Sequence, residues 1–325
     1  MIVTPKELNN WSINGKDFVV LDIRPKDQIS QFPLLNLDHI KGDFQSIKNI
    51  EKRVILVCQF GIITEGVIIE ENLNNTYSLL GGVQAWNEFQ EKNIDLSRWS
   101  RQTVLEEIGT SGQQKILDAK IAIVGMGGLG CPAAKSLVAA GVGNLNIIDG
   151  DRIELSNLHR QHMYSLSDVG KKKVTIAKRV LRKFSDKTKI EAYDVFLNDS
   201  NAADCFEDTH IIIDATDNIS SRRLIDKYSQ KLKIPMVYGS LYKFEGQVGV
   251  FNVNGSNGYS DIFPNDFTQD QSCQEAGVLG MLPSIIGNIQ ALETIKLIID
   301  LKPNLIGRLL IYDSLQHKTE IIKLW

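Results

Sequence analysis

The sequence predicts an α/β protein in two parts, a small α/β domain followed by a larger one whose mostly parallel sheet is extended by antiparallel strands. Three observations carry this. Short runs rich in Val and Ile alternate with helical stretches from about residue 98 onward. One of these runs leads straight into a glycine-rich turn. After PMVYGS the alternation gives way to successive strands. At 325 residues the chain is long enough for two ordinary domains.

Residues 1–96 make the first part. FVVLDI (18–23) and RVILVC (53–58) read as short buried strands and TYSLL (76–80) as a third, followed by two glycines and an amphipathic helix beginning near Val83. The polar piece NIDLSRWSRQ (93–102) reads as the linker and entry to the second part, residues 97–325. There the strands are KIAIVG, NLNIIDG, KIEAYDV and HIIIDATD, with KKKVTIAKRVLRKF among the intervening helices. That order places helices on both faces of a parallel sheet, and ligands of such sheets bind at the C-terminal ends of the strands. GQVGVFNV, RLLIYDS and TEIIKLW read as antiparallel additions. The apolar stretch GVLGMLPSIIGNIQALETIKLIID carries Pro283, Asn288, Gln290, Glu293 and Lys296, so it reads as a buried or interface helix rather than a membrane span.

In IAIVGMGGLG, residues Gly125, Gly127, Gly128 and Gly130 let the chain turn sharply between strand and helix. They also let the backbone approach a phosphate, which a helix N-terminus favours, so the arrangement is Rossmann-like. Asp149 ends the next strand about 20 residues on, placed to meet a ribose hydroxyl. To this point NAD and ATP fit equally. DGDRIELSNLHRQ then sets Asp151, Asn157, Arg160 and Gln161 after that strand, and VGKKKV adds Lys173. Hydride transfer expels no phosphate and has no use for two cations here. A triphosphate needs them, to clamp its phosphates and offset charge on departing pyrophosphate. Lys171 and Lys172 read as a solvated face. HIIIDATDN gathers Asp214, Thr216, Asp217 and Asn218 at a strand end, where Asp217 is placed either to hold Mg2+ on phosphate oxygens or to cap the following helix; metal binding is the stronger reading.

Bulk properties narrow the field. A hydrophobic content of 43% with 23% charged residues is ordinary for a globular protein, and a formal net charge of -3 argues against a nucleic-acid binder. MIVTPKELNN lacks the charged start and long apolar run of a secretory leader, and no membrane association is expected. The four cysteines, Cys58, Cys131, Cys205 and Cys273, form no C-x-x-C pair and suit a reducing cytoplasm. Cys131 follows the glycine loop among small neighbours and reads as structural; Cys205 receives no role.

GMGGLG, the acid ending the next strand, SNLHRQ, VGKKKV and DATDN occur in this order, with RWSRQTVLEEIG before them and EGQVGVF after. Together they resemble the ThiF/MoeB/HesA family, bacterial relatives of the ubiquitin-activating enzymes, over about residues 98–325. The resemblance implies an enzyme that adenylates the C-terminal glycine of a small ubiquitin-like sulfur-carrier protein ending in Gly-Gly, using ATP and Mg2+ and releasing pyrophosphate. It further implies that Gly127, Gly128 and Gly130 approach the phosphates, that Asp149 meets the ribose, that Asn157, Arg160 and Lys173 surround the triphosphate, and that Asp217 binds magnesium. Arg101, in RWSRQ, matches an arginine that in the family reaches into the neighbouring subunit's site, which implies a homodimer. Cys273, in QSCQEAGVLG, stands where many relatives carry a cysteine on a mobile loop, which can attack an acyl-adenylate or engage a sulfur donor such as a cysteine desulfurase; an ordinary free thiol is the other reading.

The chain also departs from the family. Many relatives bind structural zinc through two C-x-x-C pairs, but Tyr259, Ser260 and Asp261 stand near the first place and the second is missing, so no zinc site is expected. The first part resembles a rhodanese, a sulfurtransferase module, through Asp22 and Arg24 in VLDIRP, Cys58 at the head of CQFGIIT, and SLLGGVQAW. In an active rhodanese the loop amides surround a persulfide and depress the thiol pKa. Here Gly61 is kept but Ile63 stands where arginine is often found, and the segment around Asp38, His39 and Ile40 is irregular. Persulfide relay by Cys58 and a degenerate domain that docks a partner both stay open. So, for the whole chain, do a nicotinamide oxidoreductase and a non-catalytic scaffold, the first opposed by Arg160, Lys173 and the DATDN acids.

Overall fold

Two sheets organise the chain, each within its own unit, Met1–Ser97 or Arg98–Trp325. The computed structural model describes residues 1–50, 52–93, 95–264 and 277–325. In the first unit the elements are β1 (Ile2–Val3), α1 (Pro5–Ile13), β2 (Phe18–Asp22), α2 (Lys26–Gln31), β3 (Ile40–Lys41), β4 (Arg53–Val57), α3 (Ile62–Glu70), β5 (Thr76–Leu79) and α4 (Gly82–Asn93). The five strands are all parallel, in the order β1-β5-β4-β2-β3. Alternation along the strands feeds two cores. Val20, Ile55, Val57 and Leu79 pack with Leu8 of α1 and Trp86 of α4, while Leu21, Val54 and Leu56 pack with Ile68 of α3. A small parallel sheet with helices on both faces is consistent with the rhodanese-like fold the sequence suggests. The two-residue strands β1 and β3 are additions that no hydrophobic run announced.

The second unit begins with α5 (Ser100–Thr103) and α6 (Gly109–Asp118) and continues β6 (Lys120–Val124), α7 (Gly130–Ala140), β7 (Asn144–Ile148), α8 (Lys173–Leu181), β8 (Lys189–Tyr193), α9 (Ala202–Cys205), β9 (Ile211–Asp214) and α10 (Ile219–Leu232). Then come β10 (Met236–Tyr242), β11 (Glu245–Phe251), α11 (Tyr259–Ile262), α12 (Leu282–Ile298), β12 (Arg308–Asp313) and β13 (Lys318–Lys323). The sheet order is β13-β12-β11-β10-β9-β6-β7-β8. From β10 to β8 every pairing is parallel; from β10 to β13 every pairing is antiparallel. In β6, Ile121 and Ile123 face a core shared with α7 and α12, and Ala122 and Val124 face one shared with α10.

Two details refine the sequence reading. The segment read as a linker is anchored in the second unit at Trp99, which is buried and donates from Nε1 to Ala139 O at 2.9 Å. The apolar stretch near residue 290 becomes α12, which buries Leu282, Ile286, Gln290 and Glu293; among the described residues no helix is long and apolar enough to cross a membrane. Strand order reverses between β6 and β9. The chain leaves β6 toward β7 and β8, then returns to lay β9 on the other side of β6, opening a crevice at the strands' C-terminal ends.

Candidate nucleotide site

The loops that follow β6 and β9 meet at this crevice. Gly125 has φ +96, and a Cβ there would lie 2.5 Å from Ala215 O, so the first glycine is demanded by its own backbone and by the loop after β9. A Cβ on Gly130 would collide with Gly125 O, and one on Gly128 would press on Pro283 at 2.9 Å. Gly127 differs. Its φ is ordinary and its Cβ would meet only Gln161 Nε2, at 3.5 Å. The chain's own packing therefore explains three of these glycines and does not demand the fourth.

Asp149 lies just beyond β7 and ties the loop down. Its Oδ2 accepts from the Met126 amide at 2.7 Å and its Oδ1 from the Asp151 amide at 2.8 Å. Burial pushes its carboxyl above the ordinary aspartate value, against the opposing pull of Lys173 and these two amides. Lys173, the first residue of α8, is buried, with Nζ 2.7 Å from Asp151 Oδ2 and 4.0 Å from Asp149 Oδ2. Lys171 and Lys172 are half exposed and pair with Asp168 and Asp194, as a solvated face should.

Between β7 and α8 the SNLHRQ segment forms tight turns. Asn157 is buried and its Oδ1 accepts from the Glu154 amide at 3.2 Å. Arg160 passes beside Gly128, its Cγ 3.7 Å from where a Cβ would stand, and Nη1 donates to Ser156 O at 2.9 Å. Gln161 is 3% exposed beside Gly127, and its buried Oε1 has no hydrogen-bond partner. An unsatisfied buried amide oxygen costs free energy unless something reaches it.

The structure divides the DATDN residues by task. Asp214 is fully buried, bonded by Arg222 Nε at 2.7 Å, the Thr216 amide at 3.0 Å and Thr216 Oγ1 at 2.5 Å. Asn218 caps α10, its Oδ1 accepting from the Ser221 amide at 2.8 Å. The capping role considered for Asp217 thus falls to its neighbour. Asp217 itself is exposed, and among the described residues its carboxylate accepts one long hydrogen bond, from Asn218 Nδ2 at 3.4 Å. Arg222 was not singled out in the sequence. It is buried and also donates to Thr216 O at 3.3 Å and Gly239 O at 3.1 Å, so it fixes the loop that carries Asp217. Its signal was available only in retrospect, as an arginine on the inward face of α10. Gln290 was noted only as a polar residue against a membrane span; it bonds Asp214 O at 2.7 Å and Val237 O at 3.2 Å.

Other candidates lie elsewhere. Arg101 is exposed on α5, with no hydrogen bond or ion pair among the described residues. Cys131 is buried and bonded to Met126 O at 3.3 Å, and burial pushes its thiol up to about 12, an inert structural cysteine. Burial likewise raises Cys205, to about 11. Cys273 lies outside the described residues. At the place where relatives bind zinc, the Tyr259 and Ser260 amides donate to Asp226 at 2.9 and 3.0 Å, and Tyr259 stacks with Tyr238, Phe251 and Phe263. In the first unit, Cys58 is buried at the end of β4 and its Sγ accepts from the Gly61 amide at 3.2 Å. Arg24 pairs with Asp22 at 2.7 Å and donates to Gln59 Oε1 at 3.0 Å, bracing that loop, while Phe60, Ile62 and Ile63 are exposed on it.

A doubly wound sheet with a glycine-rich strand-to-helix turn at its switch point, and an exposed carboxylate on the facing loop, defines an α/β protein of the Rossmann-like class. The ThiF family model matches residues 99–324, and the chain belongs to that family. It is 40% identical over 234 residues to the adenylyltransferase and sulfurtransferase MOCS3 of Anopheles gambiae, covering 71% of this chain and 53% of that one. It is 38% identical over 229 residues to the sulfur carrier protein adenylyltransferase of Thermus thermophilus, covering 68% and 84%. The chain thus spans about half the length of the MOCS3 relatives it matches. Among solved structures, E. coli MccB with ATP superposes with a TM-score of 0.62 at 21% identity over 72% of each chain, which shows a shared fold.

Proposed function

We propose that this chain adenylates the C-terminal glycine of a small ubiquitin-like sulfur-carrier protein, consuming ATP and releasing pyrophosphate. The observation that carries the reading is the meeting of the glycine loop and the Asp217 loop at the switch point, with Arg160 and Lys173 beside them. The residues fit the nucleotide. No backbone strain requires Gly127, Gln161 sets its Nε2 donor beside that glycine where a phosphate oxygen can accept from it, and Asp217 keeps an exposed carboxylate for Mg2+. When bound there, Mg2+ supplies charge neutralisation on the phosphate oxygens. Asp149 holds the loop through two backbone amides, and in this reading it also meets the ribose while Asn157, Gln161 and the loop glycines line the phosphates.

The carrier's terminal carboxylate is ionised near neutrality, so the step needs no general base. It attacks the α-phosphorus while pyrophosphate leaves, and Arg160 and Lys173 offset the charge gathering between two anions. Arg101 is exposed, and the reading extends to a homodimer in which it completes the partner's site. The names of the two curated relatives support the carrier as substrate, and the MOCS3 name supports a coupled sulfurtransferase activity. In that reading the outer sulfur of a Cys58 persulfide, supplied by a cysteine desulfurase, attacks the acyl-adenylate and expels AMP; a second thiol, assigned to Cys273, then cleaves the acyl disulfide, releasing the thiocarboxylate and leaving a disulfide that an external thiol reduces. The amide of Gly61 on Cys58 Sγ favours this role. The exposed Phe60, Ile62 and Ile63 favour a second one for the same unit, docking of a protein partner. The setting is cytoplasmic, and no zinc is required.

ATP–pyrophosphate exchange with Mg2+ and a panel of carriers ending in Gly-Gly tests the main reading. Exchange that depends on both a carrier and Asp217 establishes it. Nucleotide binding without exchange for any carrier points to a scaffold, and binding of NAD in place of ATP overturns the argument from Arg160 and Lys173.

A further inference from the structure

Lys173 is the buried cation of the proposed phosphate site, yet its ammonium is engaged by two carboxylates, Asp151 at 2.7 Å and Asp149 at 4.0 Å. The two acids differ in freedom. Asp149 is held at both oxygens by the amides of Met126 and Asp151, and its side chain is 8% exposed. The Asp151 side chain is 52% exposed and has no partner besides Lys173 among the described residues. The Asp151 backbone is fixed, because its amide donates to Asp149 and its carbonyl accepts from the Lys173 amide at 3.0 Å. Only the carboxylate can turn away, and solvent lies on its open side.

We propose that Asp151 is a displaceable counter-ion for Lys173. A polyphosphate takes the ammonium by exchanging with this carboxylate, which swings outward, and the carboxylate's return competes with product pyrophosphate and hastens its departure. The proposal rests on the nucleotide reading and assigns Asp151 a role opposite to that of a ligand: it opposes phosphate binding. The physical reason is that a buried ammonium strongly favours a paired state, so any phosphate must outbid an anion in contact. A ligand without phosphates makes no such exchange.

The test is calorimetric binding of inorganic pyrophosphate, without metal, and of adenosine to the full chain and to Asp151→Asn. Asparagine keeps the shape and removes the charge. Pyrophosphate is expected to bind about tenfold tighter to the variant while adenosine affinity stays unchanged. In a Lys173→Gln background the same Asp151→Asn change should give no gain, which separates exchange at Lys173 from a general loss of negative charge. Asp151→Ser, with thermal unfolding alongside, guards against a folding defect confined to one variant. Unchanged or weaker pyrophosphate binding in both Asp151 variants overturns the proposal, as does a gain that survives in Lys173→Gln. If the wild-type chain binds neither probe nor ATP, the nucleotide reading has failed and this proposal falls with it. If ATP and adenosine bind as expected and only the pyrophosphate gain is missing, the proposal alone is wrong.

Discussion

Single residues at the switch point separate structural from chemical demands. Gly127→Ala should leave stability within about 0.5 kcal/mol, since its φ is ordinary and the nearest atom to the added methyl is 3.5 Å away, while ATP affinity falls. Gly125→Ala should lose more than about 1 kcal/mol, because φ +96 and the Ala215 carbonyl both reject a side chain. Denaturant unfolding and ATP titration of the two variants distinguish these outcomes. Asp217→Asn should unfold normally, its one hydrogen bond among the described residues being a long one to Asn218, and should lower Mg2+-dependent exchange by about 100-fold or more. Much of this was legible. The places of the glycines, Asp149, Lys173 and Asp217 were readable, because a strand, turn and helix pattern fixes where each falls along the chain. The division of labour inside DATDN did not, because Asp214, Asp217 and Asn218 carry similar polar side chains, and only the position of Arg222 across the turn shows which acid is consumed structurally.

Among elements, the helices at the site depend on their first turns. Asn218→Ala should cost about 1 kcal/mol through loss of the α10 cap, read as a lower denaturant midpoint with unchanged slope. The 3-10 turn before α8 is pinned by Asp168, which Ser165, Arg179 and Lys171 hold at about 2, below the ordinary 3.8. A depressed acid stabilises the fold above its unfolded value and loses that contribution as pH falls through its folded one. The stability difference between wild type and Asp168→Asn should therefore be fullest above about pH 4 and should vanish toward pH 2, as urea melts across that range would show. The long strands were readable from Val and Ile runs with glycine or proline at their ends. β1 and β3 were not, since two residues carry no periodicity and their pairing is decided by the neighbours Ser78, Leu79, Leu21 and Asp22. Trp99 shows the same limit, for a polar sequence context hid an indole whose partner lies some forty positions away.

For the whole molecule, the proposed reading gives the two units separable roles, and one variant tests that. Cys58→Ala in the full chain should leave carrier-dependent pyrophosphate exchange at the wild-type level and abolish thiocarboxylate formation, which mass spectrometry of the carrier reads directly. Retained thiocarboxylate would assign the first unit to docking. One rim of the larger sheet has a consequence of its own. Among the described residues β13 is exposed along its whole length and pairs on one side only, so it offers a row of free backbone groups beside Ile321 and Ile322. Such a strand is a template for unwanted pairing with another chain. Lys318, Glu320 and Lys323 bracket the two isoleucines with alternating charge, and any intruding strand would have to strip those groups of water. The rim thus discourages aggregation by electrostatics rather than by cover, and its protection should weaken as salt screens those charges.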